Sequence, residues 1–467
     1  EDGTGVVHIA PGFGEDDYRI GLEKGIPSVC PMDAEGCFTD EVPEYAGRPV
    51  KECDKDIMRC LKEQRKLVHR STITHSYPHC WRCDTPLVYR AVSTWFLKVE
   101  ELRDRILSAN GKIHWVPSHI KEGRFGKWLQ GARDWAISRN RYWGTPLPVW
   151  QSADGEETIC AGSIEELAEL SGTRVTDLHK HFVDSIKLPS RRGKGSLTRV
   201  PEVLDCWFES GAMPYAQAHY PFENKEHFEK NFPADFIAEG LDQTRGWFYT
   251  LTVLSVALFD RPAFRNVIVN GLVLAEDGKK MSKRLKNYPD PCYMIQNYGA
   301  DALRLYMIYS PVVRAEDLRF SESGVKDLLR HIMIPLWNAY GFFVTYANID
   351  KWKIGDEPDG ESPSVLDRWI VSSLESLTVE VTEAMDSYDL QRAVRPFVRF
   401  IEDLTNWYIR RSRRRFWKSQ DDDDKNWAYQ TLSRVLLQLS KIAAPFVPFI
   451  SENIYRNLRS DDMPESV

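Results

Sequence analysis

Apolar residues recur at three- and four-residue spacing toward the end of the chain. Val394, Phe397, Val398, Ile401 and Leu404 form one stripe; Leu432, Val435, Leu436, Leu439 and Ile442 form another. That period puts each set on one face of a helix. From about residue 325 the pattern is helical, interrupted at 350–363, where Asp, Gly and Pro predict a loop. Between 76 and 320, short apolar runs alternate with helical stretches and turn signals, the pattern of an α/β unit. Residues 236–238 predict a strand leading into a helix from about 242 to 258. Residues 267–269 predict a second strand, followed by a glycine-containing turn. At the front, residues 6–9 predict a strand that ends at Pro11-Gly12.

Size refines this plan. The chain has 467 residues, 42% of them hydrophobic, enough for two or three packed cores. There is no internal repeat, and the acidic run 421–424 is the one low-complexity stretch. The sequence opens on Glu1 rather than Met and carries no signal peptide or bilayer-length apolar run, so a soluble piece of a longer chain is expected, without a membrane partner. Nine thinly spread cysteines do not make a disulfide framework and fit a reducing, cytoplasmic setting. A net charge of −7 gives no global attraction for nucleic acid, so such a partner would need a local cluster of Lys and Arg.

One such cluster is Gly278-Lys279-Lys280-Met281-Ser282-Lys283-Arg284. Compact positive charge on a glycine-hinged loop suits phosphoryl chemistry, where negative charge builds on a departing pyrophosphate. The Walker spacing is absent. Judged on charge alone, a solvated basic turn is the better reading. A second cluster is Glu239-Gly240-Leu241-Asp242-Gln243-Thr244-Arg245-Gly246-Trp247-Phe248, between a predicted strand and a predicted helix. In open α/β sheets ligands bind at strand C-termini, and carboxylates there can hold an ammonium group; helix capping is the plainer alternative.

The strings themselves are more specific than their charge. Lys280-Met281-Ser282-Lys283-Arg284 resembles the lysine signature loop of class I aminoacyl-tRNA synthetases. Arg284, where Ser is usual, is similar to the eukaryotic cytoplasmic form of the isoleucyl-tRNA synthetases. The segment 239–248 and Asp205-Cys206-Trp207-Phe208-Glu209-Ser210-Gly211 resemble the same branch. Residues 133–144 look like the strand re-entering the catalytic domain after an inserted editing domain, their arginines facing phosphate, tRNA or solvent. Residues 298–304 look like the helix after the lysine loop, with Asp301 and Arg304 pairing or capping.

The resemblance runs along nearly the whole chain and carries site expectations. It implies that Lys280 and Lys283 act catalytically, with Ser282, on the phosphates of ATP supplied with Mg2+. Glu239, Asp242 and Gln243 would hold isoleucyl-adenylate, with Trp207 and Trp247 walling the side-chain pocket. Residues 3–17 resemble a wall of the editing pocket, where Asp17 would bind the ammonium of misattached valine and His8 would lie beside the ester; without the resemblance, a structural histidine and N-capping aspartates are the ordinary reading. Such a site answers an arithmetic established for these enzymes: a missing methylene is worth only about 1–3 kcal/mol.

In Asn406-Trp407-Tyr408-Ile409-Arg410-Arg411-Ser412-Arg413-Arg414-Arg415-Phe416-Trp417-Lys418, aromatics interleave with a basic run. Such a surface can neutralise phosphates and stack on bases. It resembles the anticodon-binding bundle, and Trp407, Arg410, Arg411 and Arg414 are the expected contacts to tRNA(Ile), with arginines bonding other helices as the even alternative. Cys80 and Cys83 form one C-x-x-C pair without a second, so no metal site is assigned and zinc is not expected.

The expected architecture is α/β: the C-terminal half of a Rossmann-like catalytic domain with a partial editing domain and an all-α anticodon bundle. The expected spans are 1–75 for editing, 76–325 for the connective segment and catalytic half, and 326–467 for the bundle. The family's upstream ATP signature is not found in these residues, so this stretch alone is expected to be inactive in adenylation. A valyl relative and a non-catalytic tRNA-binding derivative are the alternatives.

Overall fold

The computed structural model describes residues 5–80, 83–282, 285–353, 360–417 and 422–467. Lys283 and Arg284 lie outside the described residues. The chain divides into two compact units, Glu1–Trp95 and Phe96–Val467.

The first unit carries two helices, Glu15–Lys24 and Val50–Glu63. It runs to Trp95 rather than to the boundary expected at 75. The reason is local bonding: the Ala91 N–H donates to the Gly12 carbonyl at 2.8 Å, and Arg90 donates to the carbonyls of Met32 and Asp33. The expected strand at 6–9 does not form. Val6 and Val7 are exposed, and among the described residues no strand pairs with this segment.

The second unit contains a three-stranded parallel sheet in the order Ala234–Gly240, Phe264–Asn270, His114–Val116. Glu239 pairs with Val269, and Gly240 with Asn270. Both predicted strands fall inside the observed ones. Buried Val267, Ile268 and Val269 hold the middle strand on both faces. Helix Trp247–Phe259 is apolar on every side and buried from Phe248 to Val256, as expected for a helix enclosed by sheet and neighbouring helices. Trp115, Phe125, Phe248 and Phe264 interlock at centroid separations of 4.8–6.4 Å, a favourable aromatic geometry.

A four-stranded antiparallel sheet, ordered Thr158–Cys160, Val149–Gln151, Ser196–Arg199, Lys187–Pro189, packs its own core around Trp150, Leu188 and Leu197. The run 133–144 is two short strands rather than one. Trp135–Ala136 pairs with Phe96–Leu97, and Ser138–Arg139 with Val203–Leu204.

Behind these lies a helical bundle that includes Ile334–Asp350, Val365–Asp386, Leu390–Glu402, Asp422–Ala443 and Pro448–Leu458. Both apolar stripes face its core. Val394, Ile401, Leu404, Leu432, Val435, Leu436 and Leu439 are each at most 1% exposed.

Candidate active site and a basic helix

The pocket segment is built from the strand Ala234–Gly240 outward. The predicted helix from 242 starts later. Residues Leu241–Arg245 form a 3-10 turn, the backbone breaks at Gly246, and the α-helix begins at Trp247. Gln243, not Asp242 or Glu239, caps that helix: its Oε1 accepts the Trp247 N–H at 2.9 Å. Gln243 Nε2 donates to Asp242 Oδ2 at 3.1 Å. Glu239 and Asp242 are exposed.

Trp207 closes over the break. A Cβ added to Gly246 would stand 3.1 Å from Trp207 Cη2 and 2.9 Å from Gln243 Oε1. Asp205 sets the position of Trp207, accepting the Trp207 N–H through Oδ1 and an Arg139 N–H through Oδ2 at 2.8 Å. Trp247 turns its Nε1 to the Ser210 carbonyl at 3.0 Å. Trp207, Gln243, Gly246 and Trp247 are therefore one packed cluster, with Asp242 hydrogen-bonded to it. Trp247 also lines a cavity of about 560 Å³ with apolar Ile237, Leu251 and Phe264 and polar Gln217, His227 and Asn231, which none of the other predicted pocket residues line. Burial, then the adjacent Asp205 carboxylate, pushes the Cys206 thiol up, so this cysteine stays protonated and is a poor nucleophile.

The lysine loop leaves the same edge of the sheet. After Asn270 the chain enters the short strand Val273–Leu274, paired in parallel with Leu318–Arg319. A turn follows in which the Gly278 N–H donates to the Ala275 carbonyl and the Ala275 N–H to the Lys279 carbonyl. Gly278 has φ +80°, a conformation glycine adopts without strain. Met281 anchors the loop against a small core of Met294, Phe320 and Val325. Asn287 steadies it, accepting the Ser282 N–H at 2.9 Å and donating to the Lys280 carbonyl. Lys279 pairs with Asp277 at 3.1 Å. Lys280 is exposed and has no ion pair with a described residue. Asp205, Arg139 and Asn287 were missed by sequence reasoning: Arg139 and Asp205 meet across the chain, and Asn287 acts through bonds to the loop that follow from its turn and not from a motif.

In the first unit, Asp17 does not cap its own helix. Gly14 is the N-cap, without a side-chain bond. The Asp17 carboxylate instead accepts the Ala10 N–H at 3.0 Å, folding the segment that carries exposed His8 back over the first helical turn. Cys83 Sγ lies 3.2 Å from Thr85 Oγ1; that hydrogen bond, with further ones from the Thr85 backbone and the Cys80 side chain, lowers the thiol pKa.

The basic run splits into two roles. Tyr408, Ser412 and Phe416 are buried. Arg415 turns inward to Asp367 with bonds of 2.6 and 2.9 Å, and to Asp424. Tyr408 Oη adds a bond to Asp367 at 2.9 Å. Trp407, Arg410, Arg411 and Arg414 face solvent. Arg411 lies over the Trp407 ring at 4.6 Å, and the three arginines make no ion pair with a described residue.

The described residues thus combine a parallel sheet, a lysine-bearing loop leaving its C-terminal edge and a helical bundle. Residues 31–319 match the family described as tRNA synthetases class I (I, L, M and V), and 367–467 match the anticodon-binding domain of tRNA ligase. The chain belongs to the class I tRNA synthetases. Within them its relatives include the isoleucine--tRNA ligase of Treponema denticola, 62% identical over 99% of this chain and 43% of that protein. That of Protochlamydia amoebophila is 62% identical over 100% of this chain and 45% of that protein. The chain thus spans under half the length of these relatives. They are bacterial, so the eukaryotic form expected from Arg284 finds no support in them, nor do the comparisons support the expected inactivity of this stretch alone. The methionyl-tRNA synthetase of Mycobacterium tuberculosis with methionyl-adenylate shares the fold at TM-score 0.59 and 18% identity, over 82% of this chain and 66% of that one. The LeuRS-tRNA-LeuAMS complex of Agrobacterium radiobacter K84 does so at 0.52 and 19%, over 74% and 45%.

Proposed function

We propose that the chain is part of an isoleucine–tRNA ligase that activates isoleucine with ATP and transfers it to tRNA(Ile). The observation carrying this reading is the pairing of Gly240 with Asn270. It brings the acidic, tryptophan-bearing segment and the strand feeding the lysine loop to one sheet edge. The choice of isoleucine rests on the names of the relatives.

In the proposed reaction a carboxylate oxygen of isoleucine attacks the α-phosphorus of ATP. The bond to pyrophosphate breaks, and the electron pair leaves with it. Glu239 and Asp242 hold the ammonium, with Gln243 fixing Asp242, while Trp207 and Trp247 bound the aliphatic side chain. Lys280, Lys283 and Ser282 meet the phosphates, delivered with Mg2+, and offset charge growing on pyrophosphate. A tRNA ribose hydroxyl then attacks the mixed anhydride, AMP departs, and the proton passes to solvent. Positioning supplies much of the rate, so no covalent nucleophile is required. Asp17 and His8 serve hydrolytic editing of valine. Trp407, Arg410, Arg411 and Arg414 contact tRNA. The expected setting is the cytoplasm.

ATP–pyrophosphate exchange by the complete natural protein tests this. Exchange should depend on isoleucine and fall when Lys280 is replaced by Ala. A preference for valine would favour the valyl reading. Binding of tRNA without any exchange would favour a non-catalytic derivative.

A further inference from the structure

Leu274 has a basic neighbour on each side. Leu318–Arg319 pairs with Val273–Leu274 so that Arg319 stands opposite Leu274. On the other edge an antiparallel bridge joins Leu274 to Lys280. Directly opposed residues in a sheet project from the same face. Arg319 and Lys280 therefore share a face, separated by two strand spacings, roughly 10 Å.

The guanidinium of Arg319 is turned toward the loop. Its Nε, Cζ and Nη2 lie 3.2, 3.3 and 3.4 Å from where a Cβ on Gly278 would be. Gly278 thus meets two demands at once: a left-handed backbone and room for this guanidinium. Arg319 is mounted firmly, since its neighbours Leu318 and Phe320 are buried and donate their N–H groups to the carbonyls of Leu272 and Leu274 at 2.8 and 2.9 Å. It has no ion pair with a described residue, and the nearby Asp277 is taken by Lys279. A guanidinium on a fixed strand, with no counter-ion among the described residues and beside Lys280, is arranged for an anion longer than a single phosphate.

We infer that Arg319 is a phosphate-binding residue, gripping the polyphosphate of ATP from the side opposite Lys280. The inference rests on the ligase reading for the identity of that polyphosphate. A guanidinium presents a planar fork suited to two phosphate oxygens. Fixed on a strand, it would hold the β- and γ-phosphates in line for departure.

The test is exchange kinetics of the complete natural protein with Arg319→Gln and Arg319→Lys, beside Lys280→Ala and the wild type. Arg319→Gln should raise KM for ATP or lower kcat by about tenfold, a change of about 1.4 kcal/mol, with KM for isoleucine and Tm unchanged. Arg319→Lys should recover part of the loss. Wild-type kinetics for ATP in Arg319→Gln would overturn the inference. So would a loss spread equally over both substrates with a lowered Tm, which would make Arg319 only a brace for the Gly278 turn. Should the wild type show no isoleucine-dependent exchange, the ligase reading fails by itself. Calorimetry with inorganic triphosphate then decides for Arg319: binding about tenfold weaker in Arg319→Gln supports the site, and equal binding ends it.

Discussion

The carboxylate of Asp301 caps a helix far along the chain, its Oδ2 accepting the Ile450 N–H at 2.8 Å and its Oδ1 the Phe449 N–H at 3.3 Å. These are orphan donors at the start of Pro448–Leu458, whose own N-cap residue, Val447, offers no side-chain bond. Arg304, one turn further along its helix, donates to the Pro445 carbonyl at 3.2 Å. The segment after the lysine loop is thereby fastened to the last helix of the bundle.

Replacing Asp301 by Ala should therefore destabilise the protein by about 1–2 kcal/mol, because a buried acceptor is lost and two N–H groups go unpaired. Asn can keep the shorter bond to the Ile450 N–H, but its amide nitrogen cannot accept from Phe449, and the charge at the positive helix end is lost. Hydrogen exchange of the 448–458 amides would show it: protection should fall most in Asp301→Ala and part of the way in Asp301→Asn.

A second fastening depends on pH. Arg314 Nη2 donates to both oxygens of Asp389 at 2.8 and 2.6 Å. Burial would raise the Asp389 pKa, but the hydrogen bonds from Arg314 and the Arg392 N–H outweigh it and the net shift is downward. The folded chain thus holds this proton less readily than the unfolded one. Its stabilising effect is complete above the unfolded value, about 4, and is lost as pH falls through the lower folded value. Chemical denaturation should show wild type more stable than Asp389→Asn by a constant margin from neutral pH to about pH 5, with the margin closing on further acidification.

The strands at 236–238 and 267–269 were legible because a run of Val and Ile bounded by turn residues has few other outcomes. The helix stripes were legible because their period is unambiguous. The strand at 6–9 was not, since pairing depends on a partner that periodicity cannot supply. Gly246 displaced the helix start because the chain needs room there for Trp207. The arginines held a signal that composition hid: stepping from Leu404 by fours and a three reaches Tyr408, Ser412 and Arg415, so the helical phase itself points Arg415 inward. Arg319 stood outside every motif, its role visible only once the register with Leu274 was known.

That division among the arginines has opposite consequences. Arg415→Met should strand the Asp367 carboxylate, 1% exposed, and cost about 3–5 kcal/mol. Arg415→Met combined with Asp367→Leu should regain much of this by removing the stranded charge. Thermal unfolding of the wild type and the two variants checks it, and equal Tm values for the single and double variants would refute it.

Ala at Arg410, Arg411 or Arg414 should leave Tm unchanged and weaken tRNA binding. Each should also reduce the slope of log affinity against log salt by roughly one unit. Filter binding across a salt series gives both quantities. An unchanged slope in all three variants would remove this face from the tRNA-binding reading.

Gly246→Ala probes the pocket with one methyl group. The added carbon would stand 3.1 and 3.3 Å from two atoms of the Trp207 ring and 2.9 Å from Gln243 Oε1, so both side chains must give by a few tenths of an ångström. Gln243 Oε1 must loosen its bond to the Trp247 N–H, and Trp207, 41% exposed, can swing outward. If Trp207 and Gln243 border the amino-acid pocket, exchange by the complete natural protein should show KM for isoleucine raised severalfold with KM for ATP unaltered, and discrimination against valine reduced. Equal changes in both KM values would instead place this pair away from the amino acid, because a shift confined to one pocket cannot act on both substrates alike.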